Sequence, residues 1–467
     1  MMGIQIVILW SDLLIWLLVA AGIGVSLLIA RDPPLLSAWR RVGANRVGMA
    51  SATVLLAFIV IGLLDSLHYR VALEGKPGQK VQYAIEVLSL LDAVATPLRT
   101  RSEKTYSEPF ATRLYAKETI DVPGRGSVRD YPRLKHGGQH LGERENEVVA
   151  DASFTAFRAG VLAFLGWLAV AGVASAVVGR GDSTAASGWQ KIWRGETAFA
   201  WNAVLLTLGL MLLVAVPLFW LSGQYHVFGT DKVGQDVLYQ ILKSVRTGLI
   251  IGLVTTLVML PVAVLLGIVA GYFRGWVDDV IQYLYTVLNS IPGVLLIAAA
   301  VLMMQVVIDT HPQWFSTAAE RADLRLLALC FILGITSWTG LCRLLRGETL
   351  KLRELEYIQA AQAFGVSNWR IIVRHILPNL MHIVIIALVM DFSGLVLAEA
   401  VLSYVGIGVD PSMTSFGTMI NNARMELGRE PVVWWSLAAA FAAMFILVLA
   451  ANLFADAVRD AFDPRAA

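Results

Sequence analysis

Charge is scarce in this chain. Only 15% of its 467 residues are Asp, Glu, Lys or Arg, while 57% are hydrophobic, and the mean hydropathy is +0.66. Soluble domains carry about 25% charged residues, so an ordinary soluble protein is excluded. The 37 basic residues nearly balance the 35 acidic ones, which leaves no basic field for a nucleic acid, and none is expected as a partner. Cysteine is scarcer still. Cys330 and Cys342 are the only two, and they lie in one apolar window more than three helical turns apart. A bridge within that helix is impossible, and two thiols cannot hold zinc unaided; both read as lipid-facing or core residues. No Gly-x-x-x-x-Gly-Lys-Ser/Thr phosphate loop occurs anywhere, which argues against a chain that hydrolyses nucleotides itself. The expectation is therefore no catalytic residue, no metal and no cofactor bound by this chain. A basic segment ahead of the first apolar run is also missing, and that run is too long for a signal peptide, so it reads as a retained span.

Long hydrophobic runs, in contrast, are abundant. A helix needs about 20 apolar residues to cross a bilayer, and windows near 4–30, 48–64, 157–179, 198–221, 247–272, 283–308, 325–345, 380–405 and 432–456 meet that length. The expected fold class is an all-α membrane protein of about nine transmembrane helices. Pro217, Pro261 and Pro292 fall inside or near the ends of spans, where neighbouring helices can satisfy the freed carbonyls. Arg31, Arg40, Arg41 and Arg46 follow the first span, Arg180, Lys191 and Arg194 precede the fourth, and a basic run starts at Arg343. All three fall on one side if the amino terminus is outside and the carboxyl terminus cytoplasmic. The expected divisions are extra spans in 1–64, an extracytoplasmic insert in 65–156, a third extra span and linker in 157–188, and a core in 189–467 with a cytoplasmic loop at 346–379.

In the insert, "VQYAIEVLSLLDAVATPL" spaces Val81, Ile85, Leu88 and Leu91 as one face of an amphipathic helix. "DVPGRGSVRDYPRLKHGGQH" is turn-rich and reads as loop. His136 and His140 have the spacing of a helical metal pair, but the glycines between them argue against the helix. A weak echo links "AWRRVGANRVGMASATVLL" with "GWQKIWRGETAFAWNAVLL": each sets Trp and basic residues ahead of an apolar span, as a duplicated element or as two membrane-surface anchors would.

"EYIQAAQAFGVSNWRIIVRHILPN", Glu356 to Asn379, interrupts the apolar pattern. Ala360, Ala361 and Ala363 make a small face that another backbone can approach. Gly365 suits a helix C-cap, because glycine accepts the left-handed conformation without penalty. Ser367 can N-cap a second helix ending just before Pro378. A cytoplasmic helix–turn–helix is predicted, against the plainer alternative of a solvated loop; position between two spans makes a DNA-reading role remote. Within the eighth span, Asp391 and Glu399 are ionisable groups in hydrocarbon and hence functional candidates, with packing contacts as the competing reading. "GTDKVGQD" (Gly229, Thr230, Asp231, Gly234, Asp236) lacks the ligand spacing of a calcium loop and reads as a turn near the outer entrance.

Four stretches taken together carry a resemblance: "HVFGTDKVGQDVLYQILKSVRTGL" (His226–Leu249), the Glu356–Asn379 stretch, "LAEAVLSYVGIGVDPSMTSFGTM" (Leu397–Met419) and "NLFADAVRDAFDP" (Asn452–Pro464). From about residue 189 the chain resembles inner-membrane permease subunits of ATP-binding-cassette importers of the dipeptide, oligopeptide and nickel branch. The resemblance implies a type I permease core of six helices in the bacterial inner membrane, with Gln359, Ala360, Ala361, Gly365, His375, Leu377 and Pro378 coupling it to separate ATPases. The implied partners are a second homologous permease, two ATPase subunits that use ATP, an extracytoplasmic substrate-binding protein and membrane lipid. The chain departs from the pattern at Gln359, usually glutamate, and Phe416, usually tryptophan. Peptides are the leading cargo. Nickel or another small solute, a proton-coupled transporter using Asp391 and Glu399, and a membrane-anchored sensor are the alternatives.

Overall fold

The computed structural model describes residues 3–73, 82–122, 126–179, 185–315 and 317–462; Val81, Arg180 and the Asp463–Pro464 ending lie outside the described residues. The helices, in chain order, are α1 (Trp10–Ile29), α2 (Pro33–Ala44), α3 (Arg46–Asp65), α4 (Leu90–Val94), α5 (Thr96–Thr100), α6 (Val148–Val178), α7 (Ala185–Arg194), α8 (Trp201–Ser222), α9 (Val237–Phe273), α10 (Gly275–Ser290), α11 (Gly293–Thr310), α12 (Ala318–Ser337), α13 (Thr339–Arg353), α14 (Glu356–Ala363), α15 (Asn368–Ile371), α16 (Leu377–Val405), α17 (Phe416–Glu426) and α18 (Trp435–Phe462). Among the described residues, nine helical stretches are long and apolar enough to cross a membrane: α1, α3, α6, α8, α9, α11, the α12–α13 run, the run from α15 through α16, and α18. Pro217 and Pro261 sit inside α8 and α9, as expected.

Four expectations need correction. Residues 4–7 are not helical. Ile4–Val7 forms strand β1, antiparallel to β2 (His68–Val71), which in turn pairs with β3 (Leu88–Ser89); a run rich in β-branched residues takes a sheet partner when one is supplied. The expected span 283–308 is broken at Ile291–Pro292, since proline pushes the preceding residue out of helical space and Ile291 is extended (φ −92°, ψ 129°). Finally, the amphipathic helix expected from Val81 begins only at Leu90. Ser89 starts it with a capping box, its hydroxyl accepting from Asp92 N–H while the Asp92 side chain accepts from Ser89 N–H. Ile85 is almost fully exposed. Part of the segment read as loop is likewise a hairpin, β4 (Glu118–Val122) against β5 (Gly126–Asp130).

Two compact units organise the chain, and they do not follow the linear divisions. One comprises residues 1–8, 29–247 and 414–457; the other comprises 9–28, 248–413 and 458–467. In the first, the insert packs on the loop 223–236 and on α17–α18. Trp435, buried there, receives the edges of Tyr106 and Tyr115, and its indole Nε1–H donates to Thr230 O at 3.0 Å. In the second, α1 is pinned to α12, because Ser11 donates both its backbone N–H and its hydroxyl to the Asp323 carboxylate. Cys330 and Cys342 are free, buried thiols. Cys342 lies in tight helix packing, where a Cβ added at Gly267 would stand 2.8 Å from Cys342 O.

Candidate functional site

The polar interruption folds as a helix, a tight turn and a second helix. Gly365 takes φ +73°. Around it, Val366 N–H donates to Ala361 O (3.1 Å) and Gly365 N–H to Gln362 O (3.0 Å), closing the end of α14 in the manner of a left-handed C-cap. Nothing lies within 4 Å of where a Gly365 Cβ would sit, so glycine is required here by conformation and not by space. Ser367 holds the N-cap position of α15, but its side chain makes no capping bond. The second helix does not stop before Pro378. A π-helical turn, Ile372–Ile376, carries it directly into α16, and Pro378 stands in the first turn of that helix. Proline has no N–H to satisfy and is tolerated at such a start, while the wider π turn absorbs the register change. The second helix of this motif and the eighth span are thus one continuous rod.

Its mounting is apolar and specific. Ile358, Ile371 and Ile376 are fully buried in a cluster with Tyr272, Ile372, Leu341 and Leu345; each such side chain contributes about 1.5–3 kcal/mol when removed from water. Tyr272 is the hub. Its hydroxyl donates to Asn368 Oδ1 (3.0 Å) and accepts from Gln362 Nε2 (3.2 Å), and its carbonyl accepts from Arg353 Nη1 (2.7 Å). One side chain therefore ties both short helices to the end of α9. Arg346 adds a two-pronged bond to Asp278 (2.5 and 2.7 Å) at the base. Sequence reasoning missed Tyr272, because a tyrosine near the end of an apolar helix reads as an interfacial anchor.

The opposite side of the element is open. Phe364 is 87% exposed and Trp369 67%, which leaves two large apolar rings flanking Gly365 largely uncovered by the described residues. Gln359, Ala360 and Ala363 share this exposure, whereas Ala361 turns half inward. Gln359 Nε2 donates to Glu354 O (3.3 Å). His375 is half-buried near the Tyr357 ring, and its carbonyl accepts from Asn379 Nδ2 (2.6 Å). Leu377 is half-buried and Pro378 exposed.

The "GTDKVGQD" segment packs on the insert through its buried residues, while Lys232 and Val233 stay exposed. Thr230 and Asp236 are buried. Ser107 N–H donates to Thr230 Oγ1 (2.7 Å), and Thr230 N–H returns to Ser107 O (3.1 Å). Gly229 and Gly234 have φ +70° and +78°. A Cβ at Gly234 would stand 1.9 Å from Glu103 O, and one at Gly229 2.5 Å from Ser107 O, so here glycine serves both conformation and close approach. Asp231 closes its own turn, accepting from Val233 and Gln235 N–H at 2.9 and 2.8 Å.

At the centre of that contact lies a buried charge cluster. The Glu103 carboxylate accepts backbone N–H bonds from Lys135, His136 and Gly137 (2.8, 2.7 and 3.1 Å) and faces His226 Nε2 at 3.3 Å. His226 Nδ1 lies 2.8 Å from Asp236. Burial alone would raise the Glu103 pKa, but the bonds from His226 and the three amides outweigh it and bring it to about 2. Burial likewise opposes a charged His226, yet Asp236 and Glu103 raise its pKa to about 9. His140 bonds to Asp151 (2.8 Å), which also accepts from Tyr225. Among the described residues, no group of three or more His, Cys, Asp or Glu side chains is arranged to hold a metal.

The two intramembrane carboxylates part company. Glu399 is buried and accepts from Ser403 Oγ at 2.5 Å, one turn away on the same helix. Asp391 is only partly buried and has no hydrogen bond or ion pair among the described residues.

Among the described residues, nine helical stretches long and apolar enough to cross a membrane, with one helix–turn–helix between two of them, define a multi-pass membrane protein. Residues 263–467 match the family described as binding-protein-dependent transport system inner membrane component. The chain is 31% identical over 309 residues to the glutathione transport system permease protein of Pectobacterium atrosepticum, a match covering 61% of this chain and 93% of the relative. It is also 31% identical over 242 residues to the oligopeptide transport system permease protein of Mycobacterium tuberculosis (52% and 77%), and 31% identical over 241 to the dipeptide transport system permease protein of Lactococcus lactis (52% and 64%). The chain belongs to the family of inner-membrane permease components of ATP-binding-cassette importers.

Proposed function

We propose that this permease conducts peptides, and that it does so with a second homologous permease, two separate ATPases and an extracytoplasmic binding protein. The observation that carries the reading is the exposed Phe364–Gly365–Trp369 ridge on a base held by Tyr272. A rigid lever needs a gripped end and a stiff shaft: the ridge supplies the first, and the unbroken run from α15 into α16 supplies the second. ATPase closure would then swing the eighth span. Gln359, Ala360, Ala361, His375, Leu377 and Pro378 belong to the gripped surface and its root in this proposal. Orientation follows the basic short loops, with the amino terminus and the insert outside. Glutathione, dipeptides and oligopeptides in the relatives' names support peptides as cargo.

In this scheme Asp391 lines the pathway, whereas Glu399 holds α16 through Ser403. The unpaired state of Asp391 also favours a second reading, proton-coupled transport, because a lone carboxylate in hydrocarbon is stable when it can take up a proton. One experiment separates them. The complete assembly is reconstituted in liposomes and uptake of a labelled dipeptide is followed, with Ni²⁺ as competitor. Uptake that requires ATP and the binding protein, and resists Ni²⁺, supports peptide import. Uptake driven by a pH gradient without ATP would replace it with the second reading, and displacement by Ni²⁺ would move the cargo to metal ions.

A further inference from the structure

The two echoing segments are not absorbed by this mechanism, and each builds the same device. In the first, α2 ends at Ala44, Asn45 interrupts the helix, and α3 begins at Arg46; in the second, α7 ends at Arg194, a short turn follows, and α8 begins at Trp201. Each is a short helix bearing Trp and basic residues, set ahead of the start of a membrane-spanning helix. The structure joins them. Ala200 N–H donates to Gly43 O at 2.8 Å, and Phe199 packs so closely on Gly43 that an added Cβ would stand 2.4 Å from its ring. Arg46 Nη2 lies 3.3 Å from the Cβ position of Gly195, which places its guanidinium beside the turn that follows Arg194. Ile192 anchors α7 in a cluster with Ala171 and Leu205. The outward side of that helix then presents Trp189 and Trp193, tilted at 60° to each other with ring centroids 5.6 Å apart and both exposed.

Arg40, Arg41, Arg46 and Arg194 are all exposed, and among the described residues none is paired with a carboxylate. The acidic residues of the same neighbourhood do not neutralise them. Asp32 caps the far end of α2, and Glu196 and Asp456, the latter beside the Ala457 that packs on Gly48, are exposed without ion pairs to these arginines. Four free guanidinium groups gathered with exposed indoles at the starts of two spanning helices have the chemistry of a phosphodiester site at the bilayer surface. Indoles settle at the headgroup level, and guanidinium binds phosphate oxygens two at a time.

We infer that α2, α7 and the turns after them form a binding site for the headgroup of an anionic phospholipid. The site lies in the leaflet that meets the starts of α3 and α8, and it holds the extra amino-terminal helices to that leaflet. Each basic residue near an anionic surface changes partitioning roughly fivefold.

The test uses the full-length protein in nanodiscs of phosphatidylcholine alone and of phosphatidylcholine with an equal part of phosphatidylglycerol. Native mass spectrometry reads the lipid retained, and thermal unfolding reads its effect. Wild type is expected to retain phosphatidylglycerol and to melt higher in the mixed discs. The Arg40→Gln, Arg41→Gln, Arg46→Gln, Arg194→Gln variant should lose both effects, with retention weaker by more than tenfold, yet melt like wild type in phosphatidylcholine alone. Neutralising two exposed basic residues of the insert, Lys104→Gln and Arg144→Gln, should leave the lipid effect intact. Equal phosphatidylglycerol retention by wild type and the arginine variant would overturn the assignment. So would a stabilisation of wild type by inorganic phosphate in phosphatidylcholine discs that matches the lipid's, because the site would then be for a soluble anion.

Discussion

The carboxylate of Glu103 and the imidazole of His226, 123 residues apart in the chain, meet at 3.3 Å in a buried pair that Asp236 completes on the other ring nitrogen. This contact fastens the insert to the loop that leads into α9. Both groups are almost completely enclosed, so removing one leaves a buried charge without its counterpart, at a cost of about 3–5 kcal/mol.

Stability should therefore depend on pH in a defined way. His226 titrates near 9 against an ordinary 6.5, so its contribution is complete below about pH 6.5 and disappears as pH rises through about 9. Glu103 titrates near 2 against 4.5; its contribution is present above about pH 4.5 and disappears as pH falls through about 2. Thermal unfolding of the purified protein should decline on the alkaline side as His226 deprotonates. His226→Gln should lower the melting temperature at neutral pH and flatten that alkaline decline. An undiminished decline in the variant would remove His226 as its source.

Gly365 calls for a comparison of two substitutions. A side chain in the left-handed region costs roughly 1–2 kcal/mol, and asparagine bears it best. With open space around the Cβ position, Gly365→Asn should keep stimulation of the ATPases near wild type, while Gly365→Val should reduce it severalfold without unfolding the membrane helices. Equal stimulation in both variants would mean that the turn does not transmit the stroke.

Asp391 and Glu399 should separate by readout. Glu399→Ala removes the acceptor of a buried hydroxyl and should destabilise the protein by about 1–3 kcal/mol. Asp391→Asn breaks no bond and should leave the melting temperature unchanged while lowering the transport rate. Unchanged transport by Asp391→Asn would take this residue out of the pathway.

Topology is open to chemical labelling. Ser102 and Ser367 are both exposed, and single cysteines there, with Cys330 and Cys342 replaced by alanine, report on the two sides of the membrane. An impermeant maleimide should label position 102 in spheroplasts and position 367 only after the membrane is opened. The reverse pattern would invert the proposed orientation.

What the sequence by itself determined is whatever rests on short-range rules. Most of the spans were legible because a chain crossing hydrocarbon must satisfy its own backbone, which demands long apolar helices. The turn at Gly365 was legible because glycine alone enters the left-handed region freely. Tertiary structure decided the rest. Ile4–Val7 became a strand because His68–Val71 offers it an edge, and the helix after Gly365 runs on through Pro378 because a π turn precedes it. The same holds at the sites: Glu103 and Tyr272 carry no local signal, and their importance comes from partners remote in sequence, three amides and an imidazole for one, two short helices for the other. Local propensity fixes how a segment can fold, but a buried polar group is explained only by what the rest of the chain brings to it.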